Sequence, residues 1–409
     1  MDGEPSKHST GTEIPVSEEP ESFAETSSVS IAELSVSDQN GLAVEITEDE
    51  GPVAEIIIDT LDTHSTPKVK NTFHAAVKVD PRPELLRRIN DTSAKTPWNT
   101  EIWLHLIQEA ANMNDPPFMR ETFAKFLVHY PTNVRVWVQW IKFELKSRAY
   151  DQMEQIFNKC LRTVPCVELC QLYMEYIHHQ HSPLNLDVDE SLIAKNTILQ
   201  AFEFVLTTVG TDKESGKLWM SYITFVKAEE VVSSYEEQHK MDQLRKIFHR
   251  AIQTPLHNIE TIWKDYDAYE NSLSKLTAKK FIADRAGSYM TARSSMKDYK
   301  SLMEPIEAIS SSWFSVPPTW TFPEVTLLNN WKQYIAWEKS NPLQLDDKQK
   351  LVNRVSFAYK SAIIHLNYFP EVWYDYARYL HEMEKPEEAI SLLKMAMDSL
   401  PNWYVLFNP

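Results

Sequence analysis

The stretch WVQWIKFELKSRAYDQMEQIFNKCL, residues 137–161, decides the fold of this chain. The pattern of this stretch is formed by Trp137, Trp140, Ile141 and Glu144, at positions i, i+3, i+4 and i+7. These positions lie on one face of an α-helix. The second half carries another apolar face, in which an aromatic residue, Phe157, is followed by a basic and then a small residue. The stretch therefore predicts two amphipathic helices joined by a short loop.

The first-helix pattern recurs seven times along the chain, and a second helix of the same type follows in six cases. Prolines come after most of the second helices and predict where they end. One such hairpin cannot bury its aromatic face alone, whereas stacked hairpins bury a continuous core and curve into a superhelix. The fold class is therefore predicted to be an all-α solenoid. Its aromatic anchors are Trp103, Trp137, Trp140, Tyr173, Trp219, Tyr222, Trp263, Tyr266, Trp331, Tyr334, Trp373 and Tyr376.

Composition excludes several other classes of protein. The 409 residues include 58 acidic and 41 basic ones, so the net charge is −17, which argues against a chain that coats nucleic acid. Only 7 residues are glycine, too few for turn-rich β architectures or several phosphate-binding loops. No apolar run is long enough to span a membrane, and no secretory signal is visible at the start. Three cysteines favour a reducing compartment.

Charge and proline positions predict the domain organisation. Residues 1–80 hold 17 acidic and 4 basic residues with few aromatics, so we expect a disordered acidic tail there. Repeats 1 to 5 form a first module over residues 81–304, and a stiff connector containing two adjacent prolines spans 305–325. Residues 326–409 hold the start of a second module, with repeats 6 and 7.

Three groups of residues could suggest a chemical site, but their patterns do not indicate an enzyme, a cofactor or a metal. The glycines of residues 210–217 are spaced one residue too far apart for a P-loop, so an inter-helix turn is predicted. The three cysteines and nearby histidines do not match a zinc spacing. Four glutamates recur late in the first helices, and we expect each to accept a hydrogen bond from a neighbouring helix. They are Glu109, Glu144, Glu270 and Glu338.

A basic stripe is the sharpest candidate binding surface. Arg293, Lys297 and Lys300 stand at i, i+4 and i+7, and Lys279 and Lys280 precede them on the same predicted helix. Such a face can meet RNA phosphates or an acidic peptide, although a merely solvated helix face is the more ordinary interpretation.

Several long segments resemble the suppressor-of-forked family, whose members are built from half-a-TPR (HAT) repeats. The resemblance covers roughly residues 85–380 and is carried by residues 137–161, 258–270, 278–293, 315–318, 331–343 and 354–380. It implies a nuclear scaffold subunit of cleavage stimulation factor, acting in pre-mRNA 3′-end cleavage and polyadenylation and binding other subunits of that machinery. The resemblance also implies a homodimer, which is doubtful here because the sequence matches only two repeats of the second module, as in a truncated form.

Two alternative functions stay open at this point. The chain is either a direct RNA-binding repeat protein or a HAT scaffold of another RNA-processing complex, such as splicing or rRNA processing. Unequal spacing between the first-helix anchors disfavours a regular base-reading code. The sequence therefore predicts at most a weak RNA contact, no membrane contact and no catalysis.

Overall fold

The computed structural model describes residues 80–181, 188–310 and 313–400, and all structural statements refer to these ranges. They contain helices and no strand, which confirms the predicted all-α class. The predicted acidic tail, but for residue 80, and the end of the chain lie outside the described residues. The helices are α1 Arg82–Lys95, α2 Thr100–Asn112, α3 Pro116–His129, α4 Val134–Ser147, α5 Tyr150–Thr163, α6 Val167–Gln180, α7 Val188–Val209, α8 Gly216–Lys227, α9 Ser234–Ile252, α10 Ile259–Leu273, α11 Lys275–Ser310, α12 Phe322–Lys339, α13 Lys348–Leu366, α14 Pro370–Glu382 and α15 Pro386–Ser399.

Consecutive helices from α2 onward pair as seven hairpins, one for each predicted repeat, beginning with α2 and α3 and ending with α14 and α15. Helix α1 precedes them and packs on α2 and α3. Sequence analysis did not predict α1, because only Leu85 and Ile89 mark its buried apolar face. The helix therefore closes the first end of the solenoid without an aromatic anchor of its own.

Local sequence explains where the helices begin and end. The side chains of Asn99 and Asn133 accept the N–H of the third residue that follows, at 3.1 and 3.0 Å, and so cap α2 and α4. Ser233 and Thr321 form capping boxes with the glutamates three residues later. Helices α3, α5, α9 and α13 each end within four residues before a proline, as the sequence predicts.

The buried apolar residues form two clusters that meet inside α11. The first runs from Leu85 to Ala292 and also includes Leu343 and Phe357 of repeat 6, and the second runs from Tyr299 to Leu400. Helix α11 serves both, because its first part packs on α9 and α10 and its last part on α12. The long second helix predicted for repeat 5 is thus confirmed, with 36 residues.

The segment between the modules is shorter than the connector predicted at 305–325. Helix α11 continues through Pro305 to Ser310, and α12 begins at Phe322. A proline inside a helix removes one backbone hydrogen bond. Ile306, beside it, is buried in the second cluster, and this packing keeps the helix continuous.

The second module contacts the first far from the junction in sequence. Thr132 Oγ1, in the turn between α3 and α4, donates to the carbonyl of Ile364 near the end of α13 at 2.8 Å. The ring of Trp98 lies edge-on to that of Tyr368, with 4.9 Å between centroids. All described residues belong to one compact unit. Repeats 6 and 7 therefore lie against repeats 1 and 2.

Candidate partner-binding surface

The predicted aromatic anchors line the interior of the solenoid. Rings of this size bury about 150–250 Å² each when they are enclosed, so they dominate the energy of stacking. Trp140, Tyr173 and Trp263 are half-buried and pack against the first cluster. The other nine are buried, namely Trp103, Trp137, Trp219, Tyr222, Tyr266, Trp331, Tyr334, Trp373 and Tyr376.

Indole N–H groups fix the turn that enters three of the repeats. Trp103, Trp137 and Trp373 each donate to the carbonyl of the residue six positions earlier, at 2.9, 2.8 and 2.7 Å. Trp331 is different, because Val325 at that position lies inside α12 and its carbonyl belongs to the helix. The Trp331 indole N–H has no hydrogen-bond partner among the described residues.

The repeated glutamates hold neighbouring helices together. Glu144 in α4 accepts both nitrogens of Arg120 in α3, each at 2.7 Å, and Glu270 in α10 accepts those of Arg245 in α9 at 2.9 and 3.0 Å. Glu109 receives a similar pair of bonds from an arginine of α1. The expectation that these glutamates satisfy donors in neighbouring helices is confirmed.

Glu338 makes the same kind of pair in the second module, but with the helix that follows it. Arg354 in α13 donates to both carboxylate oxygens at 2.6 and 3.0 Å, and Tyr334 Oη donates to one of them at 3.1 Å. The side chains of Arg354 and Glu338 are only 6% and 1% exposed. Nearby negative charge raises the pKa of Arg354, so the guanidinium stays charged despite its burial.

Sequence analysis missed the arginine partners of these glutamates. The arginine lies 24 or 25 residues before the glutamate in repeats 2 and 5, but 16 residues after it in repeat 6. No constant spacing therefore links the two residues along the chain.

The predicted basic stripe lies on the solvent side of α11. Lys279, Lys280, Lys297 and Lys300 are exposed, and none of them has a carboxylate partner in the described part of the chain. Arg293 is also exposed but pairs with a glutamate of α10 at 2.7 Å. The stripe thus keeps four free cations, and its role in binding stays a prediction.

The turn that contains Gly210 and Gly216 is structural, as predicted. A Cβ atom at Gly216 would lie 1.8 Å from the side-chain oxygen of Asn258, so any other residue there would displace that side chain. The amide of Asn258 donates to the Gly216 carbonyl at 3.1 Å, which ties the turn to the start of α10. Lys213 in the same turn pairs with Glu307 of α11 at 2.6 Å.

The cysteines behave as core residues. Cys160 and Cys170 are buried and Cys166 is half-buried, and all three thiols are free. Burial raises the pKa of Cys160 to about 12 and that of Cys170 further, so these thiols stay protonated at neutral pH. Within the described ranges no group of His, Cys, Asp and Glu is arranged to hold a metal ion. None of the described helices is long and apolar enough to cross a membrane.

Comparison with known proteins agrees with this arrangement of repeats. A family model described as suppressor of forked protein matches residues 84–408. The chain belongs to the suppressor-of-forked family. The match spans both modules of the suppressor-of-forked chain and confirms the resemblance seen in the sequence.

Curated relatives of this suppressor-of-forked chain include two yeast proteins. The mRNA 3′-end-processing protein rna14 of Schizosaccharomyces pombe is 32% identical over 323 residues, which cover 79% of this chain and 43% of that protein. The protein of the same name from Yarrowia lipolytica is 33% identical over 315 residues, 77% of this chain and 38% of that one. A solved structure of CstF-77 aligns over 65% of this chain and 51% of its own, at 21% identity and a TM-score of 0.49. The chain spans less than half the length of the curated relatives it matches.

Proposed function

We propose that this chain is a non-catalytic scaffold of the pre-mRNA 3′-end cleavage and polyadenylation machinery and that it acts in the nucleus. The observation that carries the proposal is the suppressor-of-forked match over residues 84–408, together with relatives named mRNA 3′-end-processing proteins. Its partners are other subunits of that machinery.

The repeat architecture supports a docking role. Stacked hairpins expose long surfaces on both faces of the solenoid, and such surfaces bind extended partners. Arg120 and Arg245 tie successive repeats together through Glu144 and Glu270, so the surface is held in one shape before a partner arrives. A preformed surface loses less conformational entropy on binding than one that must order first.

A capture experiment with the full chain tests the proposal. The immobilised chain is incubated with nuclear extract, and the bound proteins are quantified by mass spectrometry. We expect enrichment of cleavage and polyadenylation subunits over an unrelated helical solenoid of similar net charge. Capture of splicing or rRNA-processing factors in their place would contradict the proposal and assign the scaffold to another RNA-processing complex.

A binding titration separates the scaffold from a direct RNA-binding protein. The chain is titrated into a labelled oligoribonucleotide at low and at physiological salt. A scaffold that works through protein contacts should show at most weak binding, lost at physiological salt. Tight binding that persists there would contradict the proposal, because phosphate contacts of a few lysines do not survive such salt.

A further inference from the structure

A groove of about 860 Å³ lies along repeats 3 to 5, away from the predicted basic stripe. Helices α7, α8 and α9 supply most of its lining, Arg285 of α11 closes one side, and Lys350 of α13 reaches it from the second module. The groove therefore joins side chains of both modules.

The groove is positively charged within a negatively charged chain. Its lining contains four Lys or Arg side chains and two carboxylates, so its formal charge is +2, whereas the whole chain carries −17. His249 does not add to this charge at neutral pH, because burial and then nearby Arg285 lower the pKa of its imidazole to about 4. Groups of this sign attract anionic partners.

Three of the four cations have no partner within the described residues. Lys246, Arg285 and Lys350 make no ion pair or side-chain hydrogen bond there. The fourth, Arg250, is neutralised by Glu203 at 2.8 Å. The free charge of the groove is thus carried by three side chains that converge from three helices.

Arg285 is the decisive residue of the three. It stands seven residues from both Ala278 and Ala292, which are fully buried, so it lies on the inward face of α11 and not on the solvated one. Its side chain is half-buried. A guanidinium partly removed from water and without a counter-charge is unfavourable, unless an anion binds there.

The remaining carboxylates leave room for such an anion. Glu203 already accepts from Arg250 and from Tyr222 Oη, the latter at 3.0 Å. Asp242 accepts from Gln238 at 3.1 Å and lies 4.0 Å from Arg245. Neither forms an ion pair with Arg285, and the groove lining also includes the half-buried apolar side chain of Leu199.

We propose that this groove binds an acidic peptide segment of a partner protein. Carboxylates of the peptide pair with Arg285, Lys246 and Lys350, and an apolar side chain packs on the half-buried Leu199. A peptide is favoured over RNA because Tyr222, the aromatic residue of the lining, is only 2% exposed and cannot stack on a base. The proposal rests on the proposed scaffold function for the origin of the partner.

Fluorescence anisotropy with a synthetic probe tests the groove. The probe is a short fluorescein-labelled peptide in which Glu and Leu alternate, titrated with the full chain at low salt. Arg285→Gln should weaken binding about tenfold or more, since a bidentate, charge-assisted contact is lost. Lys246→Gln with Lys350→Gln should weaken it severalfold, whereas Arg285→Lys should retain part of the affinity.

The matched control uses two lysines of the outer stripe. Lys279→Gln with Lys280→Gln removes two positive charges outside the groove, as many as the Lys246→Gln with Lys350→Gln variant removes inside it. We expect the peptide affinity of this control to stay within twofold of that of the parent chain. Circular dichroism and thermal unfolding check that each variant is folded. Because Arg285 has no ion pair, its replacement should not lower the melting temperature.

Several outcomes would overturn the proposal. They are absence of peptide binding at low salt, equal affinity of the Arg285→Gln variant and the parent, or an equal loss in the outer-stripe control. Loss of oligouridylate RNA binding in Arg285→Gln, with peptide binding unchanged, would reassign the groove to RNA. Capture of 3′-end-processing subunits by the parent chain, with no peptide binding, would refute the groove and leave the proposed function standing.

Discussion

In the first and second modules, the glutamate at the equivalent position of the first helix binds arginines on opposite sides along the chain. In repeats 2 and 5, Glu144 and Glu270 bind arginines of the preceding helix and so connect one repeat to the one before. In repeat 6, Glu338 binds Arg354 of the following helix and connects the two helices of one hairpin. The helix before α12 is α11, and where it meets repeat 6 it offers the ring of Tyr299, stacked on Tyr334 at 5.2 Å, and no arginine.

This difference shows how a solenoid divides into two cores. In the first module, ion pairs connect neighbouring repeats. In repeat 6, the ion pair connects the two helices of one hairpin, and the contact with α11 is made by stacked aromatic rings. Within α11, the boundary between the two apolar clusters falls at this place, between Ala292 and Tyr299. Four predictions test the comparison, from the largest expected effect to the smallest.

The largest effect is expected from Trp137→Ala in repeat 2. Its ring is buried, lies parallel to that of Trp140 with 5.8 Å between centroids, and donates to the Pro131 carbonyl. Removing it leaves a cavity, so the free energy of unfolding should fall by about 3–5 kcal/mol in urea denaturation. Val128→Ala, at a side chain 72% exposed, is the control and should change it by less than about 0.5 kcal/mol. An unchanged stability of Trp137→Ala would contradict the repeat register.

Glu338→Gln tests the buried ion pair of repeat 6. Arg354 would keep its charge without a counter-charge, in a site closed to water. We expect the free energy of unfolding to fall by about 3 kcal/mol. A loss of less than about 1 kcal/mol in the same urea experiment would show that the pair does not hold the second module together.

The third prediction concerns the pH dependence of stability. Burial lowers the pKa of His365 to about 4, so the unfolded state binds its proton more readily than the folded state. The folded state therefore has its full stability with respect to His365 above about pH 6.5 and loses it as the pH falls toward 4. At pH 5 the free energy of unfolding should be lower by about 2 kcal/mol. His365→Gln removes this titration, so its stability should change less than that of the parent between pH 7 and pH 5.

His249 provides the comparison for this prediction in the first module. The pKa of its imidazole is also lowered to about 4, by burial and then by Arg285, and its half-buried ring lies 3.0 Å from Tyr266 Oη. Because the two histidines are shifted alike, His249→Gln should reduce the pH dependence about as much as His365→Gln does. Equal pH dependence in the parent and in His365→Gln would contradict the assignment.

The smallest effect is expected from Glu144→Gln. Arg120 is 30% exposed and can be hydrated when its counter-charge is removed, in contrast to Arg354. We expect a loss of about 1 kcal/mol, clearly below that of Glu338→Gln. A loss equal to or larger than that of Glu338→Gln would show that the two modules do not differ in this respect.

The sequence predicts the fold class, the seven hairpins and the places where helices end, because all of these follow from local patterns. The period from Trp137 to Glu144 defines a helix face, and the prolines after α3 and α5 define its limits. The position of the four glutamates late in the first helices also predicts that they accept hydrogen bonds from neighbouring helices. These features depend on residues that are close in sequence.

Contacts between distant repeats could not be predicted in the same way. Thr132 meets Ile364 and Trp98 meets Tyr368 although more than 200 residues separate them, and no pattern relates their positions. Arg285 belongs to the same basic-rich segment as the outer stripe, and only the helix direction places it inward, beside Lys246 and Lys350. Its position depends on the packing of α11, which extends beyond the predicted end at residue 304.

Hydrogen exchange of the Trp137→Ala variant, followed by mass spectrometry below its melting temperature, tests most directly whether indole anchors join successive repeats within each core. We expect faster exchange in α2 to α7, which form the repeat of the lost ring and the repeats on either side of it, and parent-like protection in α12 to α15. Faster exchange confined to α4, or spread equally through α12 to α15, would contradict it.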